Sequence, residues 1–213
     1  MYGRPMYGRL ADPDSTIGTD PRSDPRMVAA LAPLALDGRY PQPALTVDAP
    51  LEKRRAFVAE IEENTGAVLD MFAQSVPIFE GVTTTTTIGG TDGNDVTLYI
   101  SRPDPGDGAL PCVVHLHGGA MAFLSAADIG YMRGREYLAA TGLVVVGVEF
   151  RNSAGKLGPH PYPAGLNDCA TGVCDGGLVA APKGVAIVPQ IAKVWQMQVL
   201  DAGCLQKHRE ALL

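Results

Sequence analysis

The sequence predicts an α/β fold: an antiparallel hairpin joined to a parallel βαβ unit, behind a helical N-terminal region. Three observations carry this. Apolar residues recur at helical spacing from Phe57 to Phe72, and the period then drops to two between Val82 and Ile100. Two continuously apolar runs, Cys112–Leu116 and Leu143–Val148, then bracket a helical segment. A continuous apolar run marks a strand buried on both faces, and strand–helix–strand within roughly forty residues makes those strands parallel.

Residues 1–23 are polar and rich in Pro, Gly and Asp, and read as a flexible arm. Its Met1–Tyr2–Gly3–Arg4 recurs as Met6–Tyr7–Gly8–Arg9, too short to be a structural repeat. Residues 24–79 form the helical region. Asp24 followed by Pro25 is a helix start, so Met27–Leu36 is expected to be helical with Gly38 beyond its end. A second helix follows Asp48 and Pro50, with Phe57, Ile61, Val68, Leu69 and Phe72 on its apolar side and Glu52, Lys53, Arg54, Arg55 and Glu60 mostly wet. Gly66 leaves open a break into two shorter helices.

Residues 80–175 hold the sheet. Val82–Ile88 contains five consecutive threonines, whose β-branched side chains favour strand over helix. Gly89–Gly93 is a turn and Val96–Ile100 the returning strand; Pro103–Gly108 is a loop. Between the two apolar strands, Ser125 and Asp128 have the spacing of a capping box, Ile129–Ala140 is helical and Gly142 stops it. Ligands of such sheets bind at the carboxyl ends of the strands. Residues 176–213 read as a tail, with a short strand at Gly184–Val188 and a helix at Ile191–Leu200.

Composition narrows the class. A chain of 213 residues with 46% hydrophobic content can build a core, and a net charge of −6 argues against a nucleic-acid partner. The four cysteines, Cys112, Cys169, Cys174 and Cys204, lack zinc-ligand spacing and are too sparse for a disulfide framework. A reducing, cytoplasmic location follows, with no metal and no cofactor expected. No run approaches the length of a membrane span, and the N-terminus has no apolar leader segment.

The chemistry concentrates at strand ends. His117–Gly118–Gly119–Ala120 follows the first apolar strand, where paired glycines let the backbone turn sharply and present its N–H groups. Such N–H pairs stabilise a developing oxyanion, each donor contributing a few kcal/mol. A plain βα turn also favours Gly–Gly. Phe150–Arg151 ends the next strand, and His160–Pro161–Tyr162–Pro163–Ala164 leads, with Asp168, into a helix.

With these two motifs in register, the sequence resembles the hormone-sensitive-lipase-like branch of the α/β-hydrolase superfamily (the alpha/beta hydrolase fold-3 group). That family carries HGGG after its third strand, then an aromatic–Arg pair and an H-P-[FY]-P-A segment. The resemblance spans roughly residues 25–173. It implies a partial α/β-hydrolase sheet with a helical N-terminal cap, and a Ser/His/acid carboxylic-ester hydrolase acting on small acyl esters. It places oxyanion N–H groups at Gly118, Gly119 and Ala120, and motif roles at His117, Arg151, His160, Pro161 and Asp168. Ala120 departs from the family's third glycine: it keeps its N–H, but its Cβ disfavours positive φ.

A larger departure is an absence: no G-x-S-x-G occurs in the chain. Ser153 lacks a leading glycine. Gly172–Val173–Cys174–Asp175–Gly176 has the form G-x-C-x-G, but it follows a helical pattern rather than a strand. His208 sits in the charged run Lys207–His208–Arg209–Glu210 with Asp201 upstream, a solvated setting. His115 is expected inside a central strand, and His160 to hold a loop by hydrogen bonding. No catalytic triad is identifiable. After Val173 the family pattern ends, which implies a truncated or altered member that exposes a sheet edge and self-associates through it. Three readings follow: an ester hydrolase by descent that is inactive in this chain, a ligand-binding or scaffold pseudo-hydrolase, and a fragment unstable alone.

Overall fold

The computed structural model of the chain describes residues 14–38, 45–46, 48–78, 81–103 and 110–175. Most of the expected arm, part of the 103–108 loop and the whole tail with its 184–188 strand, 191–200 helix, Asp201 and His208 lie outside the described residues. The chain divides into two compact units, Met1–Asp48 and Ala49–Leu213.

In the first unit, α1 spans Pro25–Leu31, and the Asp24 carboxylate accepts the Arg26 N–H at its start. It ends earlier than the sequence suggested. Pro33 cannot donate to an α-helical ladder, so Ala32–Leu34 tightens into a 3-10 turn and Ala35 exits at φ 54°.

The second unit opens with α2, Leu51–Ala73, which runs unbroken through Gly66. The sheet follows. β1 (Val82–Gly89) pairs antiparallel with β2 (Asp95–Arg102) in the register Ile88↔Val96, closed by a turn in which the Gly90 N–H donates to the Asn94 carbonyl. β3 (Cys112–Leu116) runs through α3 (Ile129–Ala139) to β4 (Val144–Val148), and these two strands are parallel. α4 is Ala164–Cys174. The strand order is β1-β2-β4-β3, with β2 antiparallel to β4. This mixed sheet with helices is the partial α/β-hydrolase architecture the sequence predicted.

One face of the sheet carries Val96, Leu98, Ile100, Val144, Val146 and Val148, all buried. Each such side chain contributes about 1.5–3 kcal/mol of transfer free energy. α4 approaches this face closely: a Cβ at Gly172 would lie 2.4 Å from a Val148 methyl. On the other face the buried Arg135 of α3 reaches over Gly147, whose added Cβ would meet the Arg135 side chain at 2.7 Å. Its guanidinium lies 5.4 Å from the Tyr99 ring centroid and donates to the Ala126 carbonyl.

Two expectations need correction. β4 is buried along its length, but β3 is only half-buried and Leu116 is 41% exposed, because β3 has a neighbour on one side only among the described residues. His115 therefore stands on an edge strand rather than a central one. Ser125 and Asp128 do not form a capping box either. Asp128 itself stands at the N-cap position of α3 without a side-chain bond to the helix; its carboxylate turns back to the Ser125 N–H, while the Ser125 hydroxyl accepts from Ala127.

Candidate active site

β3 ends in a bend with an unusual backbone. Gly119, Ala120, Met121 and Leu124 have φ of 104°, 54°, 59° and 70°. Left-handed conformation costs an L-residue roughly 1–2 kcal/mol, so three non-glycine instances must be imposed by their surroundings. Gly119 is required: a Cβ there would lie 2.0 Å from the Phe123 carbonyl oxygen.

The imposing contacts come from three elements. The Ala122 and Phe123 N–H groups both donate to the Gly119 carbonyl, at 2.9 and 3.2 Å. The loop after β4 donates from Ser153 N to the Met121 carbonyl and from Ala154 N to that of Ala122, while the buried Asn152 amide donates to Leu124. Glu62 of α2 accepts the Leu124 N–H at 2.7 Å and the Lys156 N–H at 2.8 Å. The carbonyls of Gly119, Met121, Ala122 and Leu124 are thus taken. The N–H groups of Gly119 and Ala120 have no partner among the described residues, and Ala120 is exposed. Gly118 is also exposed, and a Cβ on it would meet the Tyr131 hydroxyl at 2.7 Å.

His117 is buried at the root of the bend, stacked on Phe150 at 3.9 Å with rings 3° from parallel. Its Nδ1 lies 2.7 Å from the Gly118 carbonyl, and its Nε2 has no hydrogen-bond partner and faces Glu149 Oε1 at 3.8 Å. Burial holds this imidazole below the usual histidine range, against the opposing pull of the Gly118 carbonyl and of Glu149 and Asp128. His115 is pushed down to about 4, by burial and then by Arg135 and His117.

The second cluster is an ion-pair network. Asp168, 1% exposed, accepts from Arg151 N, Nε and Nη2 and from the Asn94 amide, at 2.8–3.0 Å. Arg151 also donates to Asp92 at 2.6 Å, and Asn167 bonds the other Asp92 oxygen. Those bonds, Arg151 first, hold the Asp92 carboxyl below the usual range. Arg151 and Asp168 thus meet, a pairing the sequence did not predict. His160 ties its loop through the main chain: its N–H donates to the Asn152 carbonyl while the residue is exposed, and the Pro161 carbonyl accepts the Ala164 N–H. A cavity of about 310 Å³ opens at the carboxyl end of β4, bordered by Asp95, Thr97, Glu149, Lys156 and His160.

The alternative nucleophiles are poorly placed. Ser153 lies in an exposed turn bonded through its N–H to Met121. Cys174 ends a helix instead of following a strand, and it is disulfide-bonded, contrary to the reduced state that the sparse cysteines suggested. Cys169 is buried and its thiol pushed up to about 12. Sequence reasoning missed Glu62, Asp92, Asn94 and Asn152 entirely, and gave Glu149 no role. Each acts on a partner distant in sequence, and no local pattern marks it.

This architecture has solved counterparts. The chain is similar to brefeldin A esterase, a bacterial homologue of human hormone sensitive lipase, with 36% identity and a TM-score of 0.72 over 84% of this chain and 51% of that one. It is similar to the esterase Est22 at 30% identity and a TM-score of 0.56, over 78% of this chain and 49% of that one. A bacterial heroin esterase shares the fold, at 20% identity and a TM-score of 0.56 over 76% of this chain and 46% of that one. No protein-family profile and no curated protein matches. The chain spans about half the length of these esterases. Its sheet, helices and strand-end loops are those of an α/β-hydrolase. Within that superfamily, the chain is similar in sequence and fold to esterases of the hormone-sensitive-lipase-like group.

Proposed function

We propose that the chain is a carboxylic-ester hydrolase by descent whose bend at Gly118, Gly119 and Ala120 binds the oxygen of an acyl group, and that it does not turn esters over by itself. The observation that carries this is the bend: strained, braced on its carbonyl side, with the Gly119 and Ala120 N–H groups left without partners. Donors held in place before charge develops are what acyl transfer requires. The inactive half of the reading rests on the sequence, which holds no G-x-S-x-G, and on Ser153 and Cys174 standing outside any strand-to-helix elbow.

Incubation with p-nitrophenyl acetate and butyrate tests it. Hydrolysis is expected to stay linear in substrate and to be unchanged by Ser153→Ala or Cys174→Ala; saturable turnover lost in either variant would overturn it. The intact bend beside a missing hydroxyl favours a second reading, a ligand-binding pseudo-hydrolase, in which short-chain acyl ligands raise the melting temperature. The one-sided pairing of β3 among the described residues supports self-association through that edge, which sedimentation velocity checks. No described helix is long and apolar enough to cross a membrane.

A further inference from the structure

We propose that Glu149 is the positioning residue of the bend, a single carboxylate that fixes both of its limbs and so keeps the Gly119 and Ala120 N–H groups presented to an acyl oxygen. The inference rests on the acyl-oxygen reading above and names what sustains that site.

The geometry assigns each carboxylate oxygen two duties. Oε1 accepts the Ala126 N–H at 2.9 Å on the downstream limb and faces His117 Nε2 at 3.8 Å on the upstream one. Oε2 accepts the Ser125 hydroxyl at 2.6 Å and the Tyr99 hydroxyl at 3.3 Å. The Ser125 oxygen in turn receives the Ala127 N–H at 2.9 Å, which extends the grip over three successive residues. Glu149 is itself tied to the sheet, because its N–H donates to the Thr97 carbonyl. Tyr99 supplies a second anchor from the same strand, β2. A carboxylate so held transmits the position of β2 and β4 to a bend whose φ angles would otherwise relax.

Bonds to an ionised acceptor are shorter and about twice as strong as neutral ones. The side chain is only 15% exposed, so its charge is costly unless the donors around it are well aimed. Three donors and a buried imidazole meet that condition. Phe150, the next residue, stacks on His117, so consecutive side chains of one loop meet the histidine that starts the bend, Phe150 on its ring face and Glu149 opposite its Nε2.

The test titrates the 15N-labelled chain with sodium butyrate against sodium chloride at equal ionic strength and follows the Gly119 and Ala120 amide resonances. Melting is recorded on the same samples. Saturable shifts are expected in the wild-type chain. Glu149→Gln, folded at the measuring temperature, is expected to weaken the apparent affinity about tenfold, the scale on which outer partners of a site act. Ser125→Ala, which removes the 2.6 Å bond to Glu149 and the Ala127 N–H bond to the same hydroxyl but leaves the carboxylate in place, is expected to weaken it less and to lower melting less than Glu149→Gln. Equal affinity in wild type and Glu149→Gln would overturn the inference while the acyl-oxygen reading stands. Absence of any saturable shift in the wild type would remove that reading and the inference with it. Should Glu149→Gln fail to fold, Ser125→Ala decides, and undiminished affinity there overturns the proposal.

Discussion

After β4, Arg151 divides its guanidinium between Asp168 and Asp92, Asn94 and Asn167 bond those same carboxylates, and the main-chain N–H of Arg151 joins them. After β3, on the neighbouring parallel strand, the backbone is bent into left-handed conformations and two N–H groups find no partner among the described residues. The two loops start from strands of similar chemistry, Cys112–Leu116 and Val144–Val148, and pair with each other through Met121 and Ala122. One has its guanidinium paired with two carboxylates and gains rigidity. The other holds donors in readiness, and its rigidity is lent by the first.

That asymmetry can be broken or sharpened in four ways. The largest effect is expected from Gly119→Ala, which sets a Cβ 2.0 Å from the Phe123 carbonyl at a φ of 104°. A loss of about 3 kcal/mol or more follows from combined backbone strain and overlap, read as a fall in the midpoint of urea unfolding. Removing the satisfied side comes next. Asp168→Ala strips Arg151 of its buried partner and is expected to cost about 3 kcal/mol, also by urea unfolding. Should the bend depend on the 152–154 loop as described, Asp168→Ala will also shift the Gly119 and Ala120 amide resonances.

The third is pH. Folding holds His115 down at about 4, from an ordinary 6.5. The unfolded chain therefore takes up a proton near pH 6.5 that the folded chain refuses until about 4. Stability is full above 6.5 and declines as pH falls towards 4; the loss is on the order of 2 kcal/mol. Buried His117 acts in the same direction. His115→Gln, followed by thermal melting across this range, is expected to flatten the profile. The smallest effect has the opposite sign. Ala120→Gly relieves a φ of 54° and is expected to stabilise by about 0.5 kcal/mol, since the greater freedom of glycine in the unfolded chain offsets part of the gain. Scanning calorimetry checks it.

Much of the scaffold was legible because it depends on local rules. Asp24–Pro25 starts a helix, the run of threonines makes a strand, Gly142 stops α3 at a φ of 95°, and two apolar runs flanking a helix are parallel. The errors came where tertiary neighbours decide. β3 and β4 read alike in sequence, yet only β4 has partners on both sides among the described residues, so burial diverges. Ser125 and Asp128 have capping-box spacing, but the Ser125 hydroxyl is drawn to Glu149, and the helix begins three residues later than a box would start it. The bend was visible in Gly118–Gly119. What braces it, Glu62 and Glu149, was not, because each carboxylate reaches its N–H partners across folded space from another element. Arg151 and Asp168 were marked singly by the family motif, but nothing in the sequence joined them to each other.

The five threonines of β1 carry one more consequence. The sheet of the described residues has two margins, and they differ in how they meet water. Along β1 nearly every position from Val82 to Thr87 ends in a small, exposed side chain, mostly a hydroxyl. β3 offers valines, a leucine and a histidine. A wettable margin opposite an oily one gives the proposed self-association a direction: strand addition at β3 would bury more apolar surface than at β1. Under that proposal, copies meeting at β3 would join as a closed couple, the hydroxyl-rich margin among the described residues offering less for a filament to grow from.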